Sequence, residues 1–173
     1  NGCEGTSQVT VTVNGTGAAL VITGTDISCN GLTDGSAEVV ATGTGPFNYN
    51  WLPSGGTNSI ASGLGAGTYT VEVTDGNGCV SNETIDIDEP TTIDLTISST
   101  PSDCTVDNGS ATVVATGGTG GYTYSWTPGG ATTAAVPNLG PGVYSVEVTD
   151  GNGCIQNETV NVGTVNGPNI TVD

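Results

Sequence analysis

Five cysteines are the residues of this 173-residue chain best suited to covalent chemistry. Cys29 and Cys79 are 50 residues apart, and so are Cys104 and Cys154. The equal spacing favours one disulfide in each of two equivalent segments, Cys29–Cys79 and Cys104–Cys154. Cys3 then pairs outside this window. The same arithmetic admits Cys3–Cys29 with Cys79–Cys104, leaving Cys154 over, and sequence alone does not exclude it. The first set is preferred because the second ties adjacent segments together across a linker. Closing a loop of about 50 residues adds roughly 4 kcal/mol on the chain-entropy model. Disulfides of this kind imply an oxidising, extracellular setting.

Carboxylates are the second chemical resource. Asp75-Gly-Asn-Gly78 and Asp150-Gly-Asn-Gly153 repeat, and with Asp34 and Asp107 they nominate Asp34, Asp75, Asn77, Asp107, Asp150 and Asn152 as calcium ligands. If Cys29 bonds Cys79, Asp34 and Asp75 both lie near that bond. The plainer reading, and the preferred one, is a β-hairpin turn in which Asp-Gly and Asn-Gly supply positive φ. The run is too short for an EF-hand and lacks its closing Glu. No cofactor other than calcium is suggested.

The rest of the chemistry is bounded by what the chain lacks. It has 17 acidic residues, no Lys, no Arg and no His, for a formal net charge of −17. There is no imidazole for a Ser/His or Cys/His pair, no amine for a Schiff base and no cation for an oxyanion. An enzyme is not expected. Nothing replaces phosphate counterions, which speaks against nucleic-acid binding and against anionic membrane surfaces. No apolar run approaches the roughly 18–20 residues that span a bilayer, so direct membrane insertion is not expected.

These groups sit in a chain that repeats itself. Val71–Cys79 and Val146–Cys154 are the same nine residues, and the last three of them also open the chain at Asn1–Cys3. A period of about 75 residues marks a tandem array of small domains. The expected organisation is the last strand of a preceding repeat (1–16), two full repeats (17–89 and 90–163), and the first strand of a following repeat (164–173). The chain is thus read as a window on a longer array. Val9, Val11 and Val13 of the first segment are expected to pack on neighbouring repeats or on an identical subunit of a filament.

Short Val/Ile/Thr/Tyr runs between Gly/Asn/Asp clusters predict an all-β protein. In the first repeat the strands are read at Leu20–Ser28, Ser36–Thr42, Phe47–Leu52, Ser59–Ala61, Gly67–Thr74 and Cys79–Ile87. Gly45-Pro46 is a cis-capable turn. About seven short strands per repeat is the count of an immunoglobulin-like sandwich, so the expected fold is tandem immunoglobulin-like β-sandwich domains with one disulfide each. One tension is visible: a strict sandwich puts the first turn and the last hairpin at opposite ends, so the first strand must bend or be shorter. Phe47, Tyr49 and Trp51 alternate with polar or smaller residues, as do Tyr122, Tyr124 and Trp126. Period 2 places each set on one face. Trp51, Trp126, Tyr69 and Tyr144 are assigned to the cores rather than to an aromatic binding platform. Asn82-Glu-Thr84 and Asn157-Glu-Thr159 mark surface positions.

Three segments carry a family resemblance: Cys29–Ala37, Ala115–Trp126 and Gly67–Cys79. Their order and wording resemble the SprB-type repeats of gliding and surface adhesins of Bacteroidota. The resemblance implies a long, secreted, cell-surface protein that adheres, forms filaments or is carried along during gliding, exported by the type IX system. It carries no catalytic residues over. The second repeat departs from the pattern at Pro101–Cys104 and Asp107–Gly109, so its first turn is expected to differ in shape. The resulting expectation is a non-enzymatic extracellular stalk or filament with an unspecified adhesive ligand. The alternative is a carbohydrate-binding accessory module of a larger secreted protein, which requires an exposed aromatic.

Overall fold

The computed structural model describes residues 17–165, all of it strand, turn and loop without helix. The expectations for residues 1–16, for Cys3 and for 166–173 lie outside the described residues. Two compact units are present. Unit 1 is built from 17–25 and Ser36–Ile87, and unit 2 from Asp26–Gly35 and 88–165. The units in space therefore differ from the repeats in sequence, slightly at 88–89, which count with unit 2, and more substantially near the start. Residues 26–35 open the first repeat but count with unit 2.

Unit 1 holds β1 (Ala19–Thr25), β2 (Gly35–Thr42), β3 (Asn48–Leu52), β4 (Ile60–Leu64), β5 (Gly67–Thr74) and β6 (Val80–Ile87). Unit 2 holds β7 (Asp94–Thr100), β8 (Gly109–Thr116), β9 (Thr123–Thr127), β10 (Ala135–Leu139), β11 (Gly142–Thr149) and β12 (Ile155–Val162). Each unit has two three-stranded sheets, ordered β1-β2-β4 and β3-β5-β6 in unit 1, and β7-β8-β10 and β9-β11-β12 in unit 2. The first, second and fourth strands thus face the third, fifth and sixth. This is the immunoglobulin connectivity with one edge strand omitted. The count is six per unit rather than about seven, because the stretch between the third and fourth strands stays a loop in both units.

Alternation decides what each strand buries. In β5, Tyr69, Val71 and Val73 point inward while Thr70, Glu72 and Thr74 alternate with them. Across the ladder Trp51 faces Val71 and Tyr49 faces Val73. Unit 2 repeats the register with Trp126 opposite Val146 and Tyr124 opposite Val148. Its buried cluster is Ala111, Val113, Trp126, Val146 and Val148. Trp51 and Trp126 are 2% and 1% exposed. Burying a tryptophan leaves its indole N–H in need of an acceptor. The loop after each third strand supplies one, Asn58 O for Trp51 and Thr133 O for Trp126, both at 2.9 Å.

Tyr69 is buried and Tyr144 half-buried. Each hydroxyl donates to a backbone carbonyl four residues upstream, Gly65 O at 3.2 Å and Gly140 O at 3.1 Å. This is the tyrosine corner of immunoglobulin-like sandwiches. The second and fifth strands of each unit hold buried valines, Val39 and Val71 in unit 1 and Val113 and Val146 in unit 2, all at most 2% exposed. The four cysteines among the described residues lie outside the strands, in turns and loops. The Gly45–Pro46 peptide is cis, as are Leu52–Pro53 and Thr127–Pro128.

Candidate functional site

The cysteine-bearing turn of 26–35 is the chemically distinctive part of unit 2. β1 ends at Thr25, three residues before the expected Ser28. Asp26 then turns its carboxylate back to accept the Asp88 N–H at 3.0 Å, and the Ile27 N–H donates to Asp88 O at 2.9 Å. Ile27 is 3% exposed, so an apolar side chain anchors the turn. Beyond it the Leu32 N–H closes on Cys29 O at 3.1 Å. Asn30 Nδ2 donates to Pro90 O at 3.0 Å and the Gly31 N–H to Glu89 Oε2 at 2.8 Å. The turn is thus stitched residue by residue to 88–90.

That attachment settles the cysteines. Cys29 bonds Cys154, with Cα atoms 5.6 Å apart. The expected pairs Cys29–Cys79 and Cys104–Cys154 are both corrected by this bond, and so is the expectation that each repeat closes on itself. The physical cause is the path of 26–35. The segment does not fold back as a turn of unit 1 but packs into unit 2, where the β11–β12 hairpin ends in Cys154. Asn152 Nδ2 donates to Ser28 O at 3.1 Å beside the bond. Cys154 Sγ lies 3.3 Å from the same carbonyl, a contact rather than a hydrogen bond because a disulfide sulfur carries no proton. Cys79 lies in unit 1 and is half-buried. Cys104 is an exposed thiol.

An open cleft of about 360 Å³ borders the disulfide, lined by apolar Leu32, Ile93 and Ile155 with Asn30, Thr92 and Gln156 among the polar groups. It offers no base or cation, and its chemistry is limited to packing and hydrogen bonding.

The carboxylates proposed as calcium ligands have identifiable partners. Asp75 and Asp150 are both 5% exposed. Asp75 Oδ1 accepts the N–H groups of Asn77 and Cys79 at 2.9 Å. Asp150 Oδ1 accepts those of Asn152 and Cys154 at 2.9 Å, and its Oδ2 accepts the Thr119 N–H at 3.0 Å. Each side chain holds its own hairpin turn. Asp34 accepts both the Ser28 N–H at 3.1 Å and the Ser28 hydroxyl at 2.5 Å. Asp107 lies over Gly140, where a Cβ would come within 2.7 Å of its Oδ1. Among the described residues no three acidic or cysteine side chains gather where they would hold a metal ion.

The Thr119 backbone N–H, followed by those of Cys154 and Asn152, holds the Asp150 carboxyl below the usual carboxylate range against the opposing effect of burial. The Ser28 hydroxyl, then the Ser28 N–H, lowers Asp34 in the same direction. A depressed folded-state pKa contributes stability that is present above the unfolded value, about 3.9 for Asp. It is lost as pH falls through the lower folded value. Asp150→Asn turns a donor toward the Thr119 N–H. The variant is expected to unfold at lower urea at pH 7 and to show a shallower loss of midpoint below about pH 4. Parallel midpoint-versus-pH curves for variant and parent would contradict this role.

Sequence reasoning missed Thr119, Ser28 and the tyrosine corners. Ile27 was the available signal for the turn, an apolar residue inside the stretch read as the first strand, Leu20–Ser28.

Comparison with known proteins adds a family match. The SprB repeat model matches residues 21–56 and 96–131. No curated protein matches the chain. Solved structures similar to it include an amphioxus IgVJ-C2 molecule, at 14% identity and TM-score 0.35, covering 82% of this chain and 96% of that one. Another is Dpr11 IG1 bound to DIP-gamma IG+IG2, at 12% identity and TM-score 0.36, covering 84% and 90%. Murine CEACAM1b follows at 11% identity and TM-score 0.32, covering 75% and 92%. Each of the two repeats thus matches the SprB repeat family, over stretches offset by the 75-residue repeat period.

Proposed function

We propose that this chain is a non-enzymatic, extracellular structural and adhesive element, a length of cell-surface stalk or filament built from tandem repeats. The observation that carries the reading is the recurrence itself: a SprB repeat match in each repeat, on two units of the same strand order. The repeat family supports a surface-exposed location. The acidic composition keeps neighbouring stalks soluble and apart through mutual repulsion. All eight aromatic side chains are buried or half-buried, and none stands out as a platform for a sugar ring. The absence of Lys, Arg and His leaves the chain without the usual bases and cations of catalysis.

Electron microscopy of native material stripped from intact cells tests this. Long beaded threads, labelled by antibody on unbroken cells, are expected. Compact isolated particles, or labelling only after lysis, would overturn the reading.

A further inference from the structure

Cys104 stands 75 residues after Cys29 and is an exposed thiol, whereas Cys29 is bonded. The two turns share the same anchoring backbone bond. Ile27 donates its N–H to Asp88 O at 2.9 Å, and the residue one period on, Ser102, donates to Gly163 O at 2.8 Å. Both anchors are buried, at 3% and 0% exposure. At Ser102 the pairing continues: the Val165 N–H donates to Ser102 O at 2.8 Å, and Ser102 bridges Thr164 in parallel. The opening turn of the second repeat is therefore laid along the linker that follows it, as the opening turn of the first is laid along 88–90. Cys104 Sγ donates to Val165 O at 3.4 Å on that linker.

The turn itself is closed differently. Cys104–Gly109 is one residue shorter than Cys29–Gly35, and Asn108 replaces the Ser28–Asp34 pair by accepting the Asp103 N–H at 2.8 Å and donating to Asp103 Oδ2 at 2.6 Å. The attachment survives this change of closure, so it belongs to the repeat design rather than to one loop sequence.

In the first instance the attachment delivers Cys29 to the cysteine that ends the Asp-Gly-Asn-Gly hairpin one repeat later. We propose that Cys104 makes the same bond, to the hairpin cysteine of a following SprB-type repeat. This rests on the tandem-array reading above. Successive repeats are then fastened by a regular series of disulfides, each running from an opening turn to the closing hairpin of the next repeat. The two thiols lose two protons and two electrons as the S–S bond forms. A disulfide oxidant of the cell exterior takes both and is itself reduced to two thiols.

The test uses the native, unreduced protein, alkylated before digestion with an endoproteinase that cuts at acidic residues. The peptide containing Cys104 is expected to be recovered joined to a peptide containing Asn-Gly-Cys, and reduction should release both. A bond between separate polypeptides gives a ladder on non-reducing gels that collapses on reduction. A bond within one long chain gives no ladder. Either carries the proposal, and Cys104→Ser should abolish the cross-linked peptide while leaving Cys29–Cys154 in place. Quantitative alkylation of Cys104 in material that forms threads by electron microscopy overturns this bond alone. The same alkylation in material that forms only compact particles overturns the array reading with it.

Discussion

Replacing Cys29 and Cys154 together by serine is expected to destabilise unit 2 by about 2–5 kcal/mol. The bond joins residues 125 apart in sequence. On the chain-entropy model a loop of that length restrains the unfolded chain by about 5 kcal/mol, and measured values usually fall below the model. A cost of this size is a large share of the total stability of a small domain. Both cysteines are replaced so that neither is left as an unpaired partner of the broken bond. Trp126 reports on unit 2 when Trp51 is replaced by phenylalanine, and Trp51 reports on unit 1 in the converse variant. The urea midpoint read through Trp126 should fall markedly. The midpoint read through Trp51 should hold, because neither cysteine belongs to unit 1. An unchanged Trp126 midpoint would show that the turn is held without the bond.

The second large effect is expected at the two tryptophans. Trp51→Ala and Trp126→Ala should each cost about 3–5 kcal/mol, the range for truncating a buried aromatic. Trp126 is packed with Ala111, Val113, Val146 and Val148. The small valines and alanines around it cannot collapse to fill the space. Trp126→Phe separates packing from hydrogen bonding. It keeps most of the apolar contact and leaves Thr133 O without its indole donor, at about 1–3 kcal/mol. Denaturant unfolding of the three variants checks the order. A surface-like emission maximum for either tryptophan in the parent, or an alanine variant as stable as the parent, would contradict the placement.

Much of the sandwich was legible because strand periodicity is local. Phe47–Leu52 and Tyr122–Thr127 announce one buried face through strict alternation, and Tyr69, Val71 and Val73 announce the same inner face on the neighbouring strand. Six strands per unit follow from runs readable in sequence. The disulfide was not legible, and the reason lies in the repeat. Cys79 and Cys154 end identical nine-residue strings. Spacing cannot tell a partner in the same repeat from the equivalent one a period later. The choice is made by Ile27, Asn30 and Gly31, which bind 88–90, and no periodic signal marks them. The aspartates show the same limit. Asp-Gly-Asn-Gly reads as a turn, but the Thr119 N–H on Asp150 comes from a distant loop that only the fold brings near.

That the opening turn of one repeat is built into the following unit is tested most directly by mapping the bond at Cys29. Unreduced protein is digested at acidic residues and the linked peptides are sequenced by mass spectrometry. The expected product joins the peptide containing Cys29 to the one containing Cys154. Recovery of Cys29 joined to Cys79 would contradict this arrangement and return each repeat to a self-contained domain.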